Sequence, residues 1–221
     1  MGARPRSLVA CLRRLLPAAL LGAAIAGAAV AEGEGLRSQG GESLVLLARV
    51  PVRLMLATRI RPPMQDAAPR TLEGALVGYR QPDGAVTIYL FRESPEALPS
   101  GPDSPAAQAH LQDATATMLA VLNRREGGAA AAEVTRLPDY RHAPRGGPAF
   151  RCVRTRRVIA APPQSAPGEW ERSDHLCVTG LRGRFLKLRA TFQHPTQQRE
   201  VLRRYFTSMA GQVAAILDGP E

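Results

Sequence analysis

Between Val52 and Ile60 the chain alternates, with Val52, Leu54, Leu56 and Ile60 set against Arg53, Met55, Ala57 and Arg59. A period of two is the pattern of a half-buried strand, because successive side chains point to opposite faces. The apolar run LVLLARV before it, residues 44–50, reads as a further strand, with Pro51 interrupting the two. Residues 76–80 and 86–92 carry the β-branched and aromatic side chains that strands favour. Between them Gln81-Pro82-Asp83-Gly84 has the chemistry of a turn: Pro82 presets φ, Asp83 can bond locally and Gly84 tolerates positive φ. The two runs are predicted to form a hairpin.

The period then changes to that of a helix. Leu111, Ala114, Met118, Val121 and Leu122 share one stripe, behind a Ser104 N-cap with Pro105 at the first helical position, and Gly127-Gly128 is the stop. Three strands are predicted next, Ala149 to Ala160, Glu169 to Thr179 and Arg184 to Phe192, the last two joined by Gly180-Leu181-Arg182-Gly183. A final helix runs from Pro195 to a stop at Asp218-Gly219-Pro220, with Leu202, Tyr205, Phe206, Met209, Val213 and Ile216 on its apolar face. The fold class that follows is α+β: an antiparallel sheet covered by two helices, in the order strands, helix, three strands, helix.

A hairpin, a helix, the entry Gly146-Gly147-Pro148-Ala149 into three strands, and a terminal helix occupy residues 70–218. In this order the chain resembles the PsbP-like superfamily of α/β/α sandwiches, which includes extrinsic photosystem subunits and small exported DcrB-like proteins. The resemblance implies helices on both faces of the sheet. It implies no single activity, because members differ in role.

The first 31 residues read differently. Arg4, Arg6, Arg13 and Arg14 precede an uncharged run, Leu15 to Ala31, that ends in Ala29-Val30-Ala31. That is the pattern of a secretory signal peptide cut before Glu32. Leu8-Val9-Ala10-Cys11 has its hydrophobic stretch after the cysteine, the wrong side for a lipoprotein signal. Residues 32–42 are small, polar and glycine-rich and read as a flexible leader, which leaves residues 43–221 as one α+β domain. The expected location is the periplasm or the exterior, with no transmembrane segment after cleavage.

Composition changes the picture mainly through charge. The formal net charge is +10, but the four arginines of residues 1–31 leave with the signal, so the remainder has 25 basic against 19 acidic residues, a net of +6. Of the 29 basic residues only Lys187 is a lysine. Such an arginine bias follows from a GC-rich genome, so charge informs function only where arginines cluster. Arg151, Arg154, Arg156 and Arg157 share one predicted strand, and Arg182, Arg184, Lys187 and Arg189 lie on or beside another.

Of three cysteines, Cys11 leaves with the signal, and an even pair in an oxidising compartment favours a disulfide between Cys152 and Cys177. The register that joins them sets Val153 opposite Leu176 and Ile159 opposite Trp170, two apolar pairs, and Arg157 opposite Arg172, a like-charge pair that a bulge would relieve. No CxxC or Cys-His spacing accompanies the pair, so neither a metal nor a cofactor is expected.

The histidines, His110, His142, His175 and His194, fall in no hydrolase, zinc or phosphate-loop motif. His110 sits beside the stripe of the first predicted helix and reads as structure. Ser173-Asp174-His175 cannot converge as a triad from consecutive strand positions. Asp139-Tyr140-Arg141-His142 is a polar loop that could line a pocket. No catalytic residues are expected. The reading is an exported, non-catalytic binding or accessory protein of a bacterial envelope, engaging an anionic envelope component, not nucleic acid, through Arg154, Arg156, Arg184 and Arg189 on an exposed sheet face. A small periplasmic hydrolase with an unassembled pocket and a structural subunit of an envelope complex stay open as alternatives.

Overall fold

Residues Trp170–Leu181 and Arg184–Pro195 bury side chains of both parities. A strand buried on both sides has to be covered on both faces of its sheet, and here it is. The computed structural model describes residues 41–66, 71–124, 133–163, 165 and 167–220. The expected signal peptide (1–31), nearly all of the expected leader (32–42) and the Gly127-Gly128 helix stop lie outside the described residues.

A short helix, α1, spans 41–48. It is followed by β1 (Arg53–Leu54), β2 (Ala57–Arg59), β3 (Met64–Gln65), β4 (Glu73–Gln81) and β5 (Gly84–Arg92), then α2 (Pro105–Arg124). Next come β6 (Thr135–Arg136), β7 (Tyr140–His142), β8 (Phe150–Ile159), β9 (Trp170–Leu181) and β10 (Arg184–Pro195); a 3-10 turn, Thr196–Gln198, leads into α3 (Arg199–Asp218). The strands form one antiparallel sheet in the order β1-β2-β4-β5-β10-β9-β8-β6, with β3 on β4 and β7 on β8.

Leu186, Leu188, Ala190 and Phe192 of β10 meet Phe206, Met209, Ala210 and Val213 of α3, and the same core takes in Leu44 and Leu47 of α1. On the opposite face Phe91, Phe185, Leu176 and Val153 pack on Leu111, Met118 and Leu122 of α2. The chain is therefore an α+β protein dominated by its sheet, with three α-helices among the described residues. Both helix stripes face the core, and Ser104 caps α2 by accepting from the Ala107 amide at 3.1 Å. No helix among the described residues is long and apolar enough to cross a membrane.

The structure differs from the sequence reading at several places. The last helix, expected from Pro195, begins at Arg199, because Pro195 still belongs to β10, and a short strand, β3, was not expected. Residues 44–50 form a helix and its exit, where a strand was expected, since an apolar run of seven has no period to distinguish the two. Gly41 and Glu42, expected in the leader, open α1. The expected strand at 52–60 is broken by a reversal at Met55, φ 54, which leaves Leu54 and Ala57 buried but Val52, Leu56 and Ile60 exposed. Two short strands, β6 and β7, stand between α2 and β8, where none was expected. Gly84 does not adopt the positive φ expected of it; it is needed because a Cβ there would fall on the Thr191 carbonyl of β10.

The cysteine register is as read from sequence. Cys152 pairs with Cys177, Val153 with Leu176 and Ile159 with Trp170. The two sulfurs are at bonding distance, with Cα atoms 4.1 Å apart. Arg157 pairs with Arg172 without a bulge, and Arg172 turns to the Asp174 carboxylate at 3.1 Å.

Candidate functional site

Helix α2 does not close fully on the sheet. Its face carrying Ala106, Ala109 and Ala114 is too slim to fill the space over β5 and β10, and a cavity of about 970 Å³ opens between them. That volume is in the range of small-molecule sites. Its wall is made by odd positions of β10, which point away from α3: Phe185, Lys187 and Arg189. Across the ladder Phe91 and Tyr89 sit opposite Phe185 and Lys187.

The Lys187 ammonium lies 4.4 Å from the Tyr89 ring centroid and 5.0 Å from that of Phe91. Aromatic faces attract a cation but leave its hydrogen-bonding capacity unused. Among the described residues Lys187 makes no ion pair. Burial holds its pKa below the ordinary value; Asp66 and Glu93 oppose that effect and Arg189 adds to it. His110 of α2 stands between Phe91 and Phe185, with ring centroids 5.1 and 4.9 Å away. Its Nδ1 donates to Glu93 at 3.1 Å, its Nε2 is buried without a hydrogen bond, and burial with the Lys187 charge keeps its pKa at about 4. The imidazole is thus neutral, with an acceptor lone pair in the wall. Glu93, Asp113 and Asp66 complete a rim of mixed charge.

The four arginines expected on one exposed face are not brought together. Arg154, Arg156 and Arg184 lie on the α3 face, whereas Arg189 lies on the α2 face, because residues 184 and 189 differ in parity. Arg184 is buried. It donates to Glu42 at 2.6 Å, Ser43 at 3.1 Å and Glu73 at 3.3 Å, and so fixes α1 to the sheet. Burial alone would raise the Glu73 pKa, but hydrogen bonds from Ser43 and the charges of Arg184 and Arg92 hold it below the ordinary value. Arg154 sits under α3 with Nε and Nη1 buried and without hydrogen bonds, near a Tyr140 hydroxyl in the same condition. Arg156 lines a shallow cavity of about 430 Å³ with Thr196 and Arg199.

Ser173 and His175 do share a face, being two apart, while Asp174 points to the other and accepts from Thr191 at 2.6 Å. His194, across the ladder, completes a chain that sequence spacing does not show. Its Nδ1 donates to the Pro195 carbonyl at 2.9 Å, so its Nε2 accepts from Ser173 at 2.9 Å, and Ser173 in turn accepts from His175 Nε2 at 3.3 Å. Glu171 lies 3.6 Å from His194 and is clamped by Arg199. Ser173 is 1% exposed, so this chain ties the sheet together and has no access for a substrate. The loop tetrad around Tyr140 forms β7, with Asp139 paired to Arg136 at 2.9 Å.

The Lys187 and His110 wall was not assembled from sequence. Its one signal was the single lysine among 29 basic residues. Among the described residues no group of three or more His, Cys, Asp or Glu side chains is placed to hold a metal ion. No family model matches the chain, and neither a curated protein nor a solved structure matches it.

Proposed function

We propose that this chain is an exported, non-catalytic binding protein whose ligand is a small amphipathic anion held between α2 and the sheet. The reading rests on one observation: the only lysine of the chain sits in the wall of a large cavity, over two aromatic rings, without an ion pair among the described residues. A carboxylate placed there would gain a charge-assisted hydrogen bond in a partly desolvated site. Arg189, one of the four arginines named from sequence, adds a second cation to the same wall. Phe91, Phe185, Leu98 and Met118 supply apolar surface for the body of the ligand. The rim carboxylates Asp66, Glu93, Glu96 and Asp113 oppose a polyanion, which favours a ligand with a single negative group. Helices on both faces of the sheet support the resemblance to the PsbP-like superfamily, which we retain as part of the proposal.

The test is calorimetric titration with acyl and aryl carboxylates alongside the matching alcohols. Lys187→Met keeps the apolar stem and removes the charge. Carboxylate affinity should fall at least about tenfold while alcohol affinity stays level, since a hydrogen bond to a charged group contributes about 1.5 to 3 kcal/mol. Equal loss for both ligand sets, or no binding of either by the wild type, would reject the reading.

A further inference from the structure

The β1–β2 hairpin buries Leu54 and Ala57 but leaves the apolar side chains of its tip and entry exposed. Leu56 is 78% exposed, Val52 54% and Met55 44%. Beside the tip, Tyr205 of α3 has its hydroxyl buried next to the Leu56 backbone. Val201, 65% exposed, lies one helical turn before Tyr205 on the same face of α3. The hairpin tip and the start of α3 therefore present apolar groups side by side. Met55 reaches this position with φ 54, a conformation that a side chain with a Cβ adopts at a cost.

The charge of the same segment is of one sign. From Ser43 to Gln65 the chain has no Asp or Glu but has Arg49, Arg53, Arg59 and Arg61. Arg53 and Arg61 are exposed, as is Arg80, which stands opposite Thr58 of β2 in the ladder. None of these three makes an ion pair among the described residues. By ladder parity Arg53 and Arg80 leave on the α2 face of the sheet, so these cations flank the exposed tip on the side away from α3. Exposed apolar groups beside unpaired cations match the requirements of a surface that is apolar inside and anionic at its boundary. A second copy of the chain fits poorly, since a two-fold contact here would bring the same arginines against one another.

We infer that this hairpin docks the protein onto an anionic phospholipid bilayer. Leu56, Met55 and Val201 enter the boundary between headgroups and acyl chains, and Arg53, Arg61 and Arg80 lie at the headgroup phosphates. The surface is distinct from the cavity at Lys187, so Lys187→Met leaves docking unchanged.

The experiment is flotation of the full chain with vesicles of phosphatidylcholine, with and without an equal part of phosphatidylglycerol. It compares the wild type with two variants, Met55→Ser/Leu56→Ser and Arg53→Ser/Arg61→Ser/Arg80→Ser. Residues 1–31 are common to all three proteins, so the ratio of wild type to variant is the quantity read. Circular dichroism establishes that each variant is folded, which is expected because all five positions are exposed. On anionic vesicles the arginine variant should partition roughly a hundredfold less, at about fivefold per arginine, and the tip variant at least about tenfold less. On neutral vesicles the arginine variant should match the wild type. Equal partitioning of all three proteins on anionic vesicles would overturn the inference. So would a concentration-dependent dimer in sedimentation velocity that the tip variant abolishes, which would assign the patch to a second copy.

Discussion

Acid should destabilise this fold in part through His175, which burial holds neutral. Its ring lies under α3, 5.3 Å from Phe206 and 5.5 Å from Phe192 between centroids, and its Nδ1 is buried without a hydrogen bond. Burial, with the charges of Arg154 and Arg203, keeps its pKa at about 3, against an ordinary value of 6.5. Between those two values the unfolded chain binds a proton that the folded chain does not. The contribution of the neutral ring is therefore fully present above pH 6.5 and is lost as the pH falls toward 3. Each unit corresponds to about 1.36 kcal/mol, so lowering the pH from 7.5 to 5 removes about 2 kcal/mol through this residue alone. His110, neutral for similar reasons, adds a loss in the same direction. Urea unfolding of the wild type and of His175→Leu at both pH values isolates the term. Leucine keeps the apolar contact and cannot titrate. The stability difference between the two pH values should shrink by about 2 kcal/mol in the variant. An unchanged difference would show that His175 is not the residue whose protonation is resisted.

Two further outcomes test how the sheet is held. The bridge between Cys152 and Cys177 closes a separation of 25 residues, for which loop entropy gives about 3.5 kcal/mol, so the double alanine variant should lose roughly that amount in urea, and a loss below about 1 kcal/mol would place the stabilisation elsewhere. Arg184→Met leaves the partly buried Glu73 carboxylate without its nearest cation from β10 and should cost about 3 kcal/mol, with protection of the α1 amides falling first in hydrogen exchange; unaltered exchange in α1 would separate that helix from the arginine.

The sequence by itself determined the elements whose signals are local. The β4–β5 hairpin, the Ser104 cap of α2 and the apolar stripes of α2 and α3 follow from a two- or 3.6-residue period and from turn chemistry within a few residues, and the pairing of Cys152 with Cys177 from there being two cysteines after residue 31. All but the cysteine pair are recorded in neighbours along the chain. The run at 44–50 carried no period, and its choice of helix depends on Arg184, more than 130 residues away, which holds Glu42 and Ser43. The reversal at Met55 carries no glycine, asparagine or proline to announce it, so the outward turn of Leu56 was hidden.

The candidate site was legible only in part. Arginines grouped along a strand look like one surface in sequence, but alternate residues leave by opposite faces, and burial then decided that Arg184 ties down α1 while Arg189 joins Lys187 under α2. His194 met Ser173 because β9 and β10, joined by a tight turn, pair along their whole length and bring Ser173 and His194 diagonally together on one face, a matter of ladder register and not of spacing. Secondary structure is written by short-range sterics and periodicity, whereas which side chains share a cavity depends on the stacking of the three layers, and only the tertiary structure decided that.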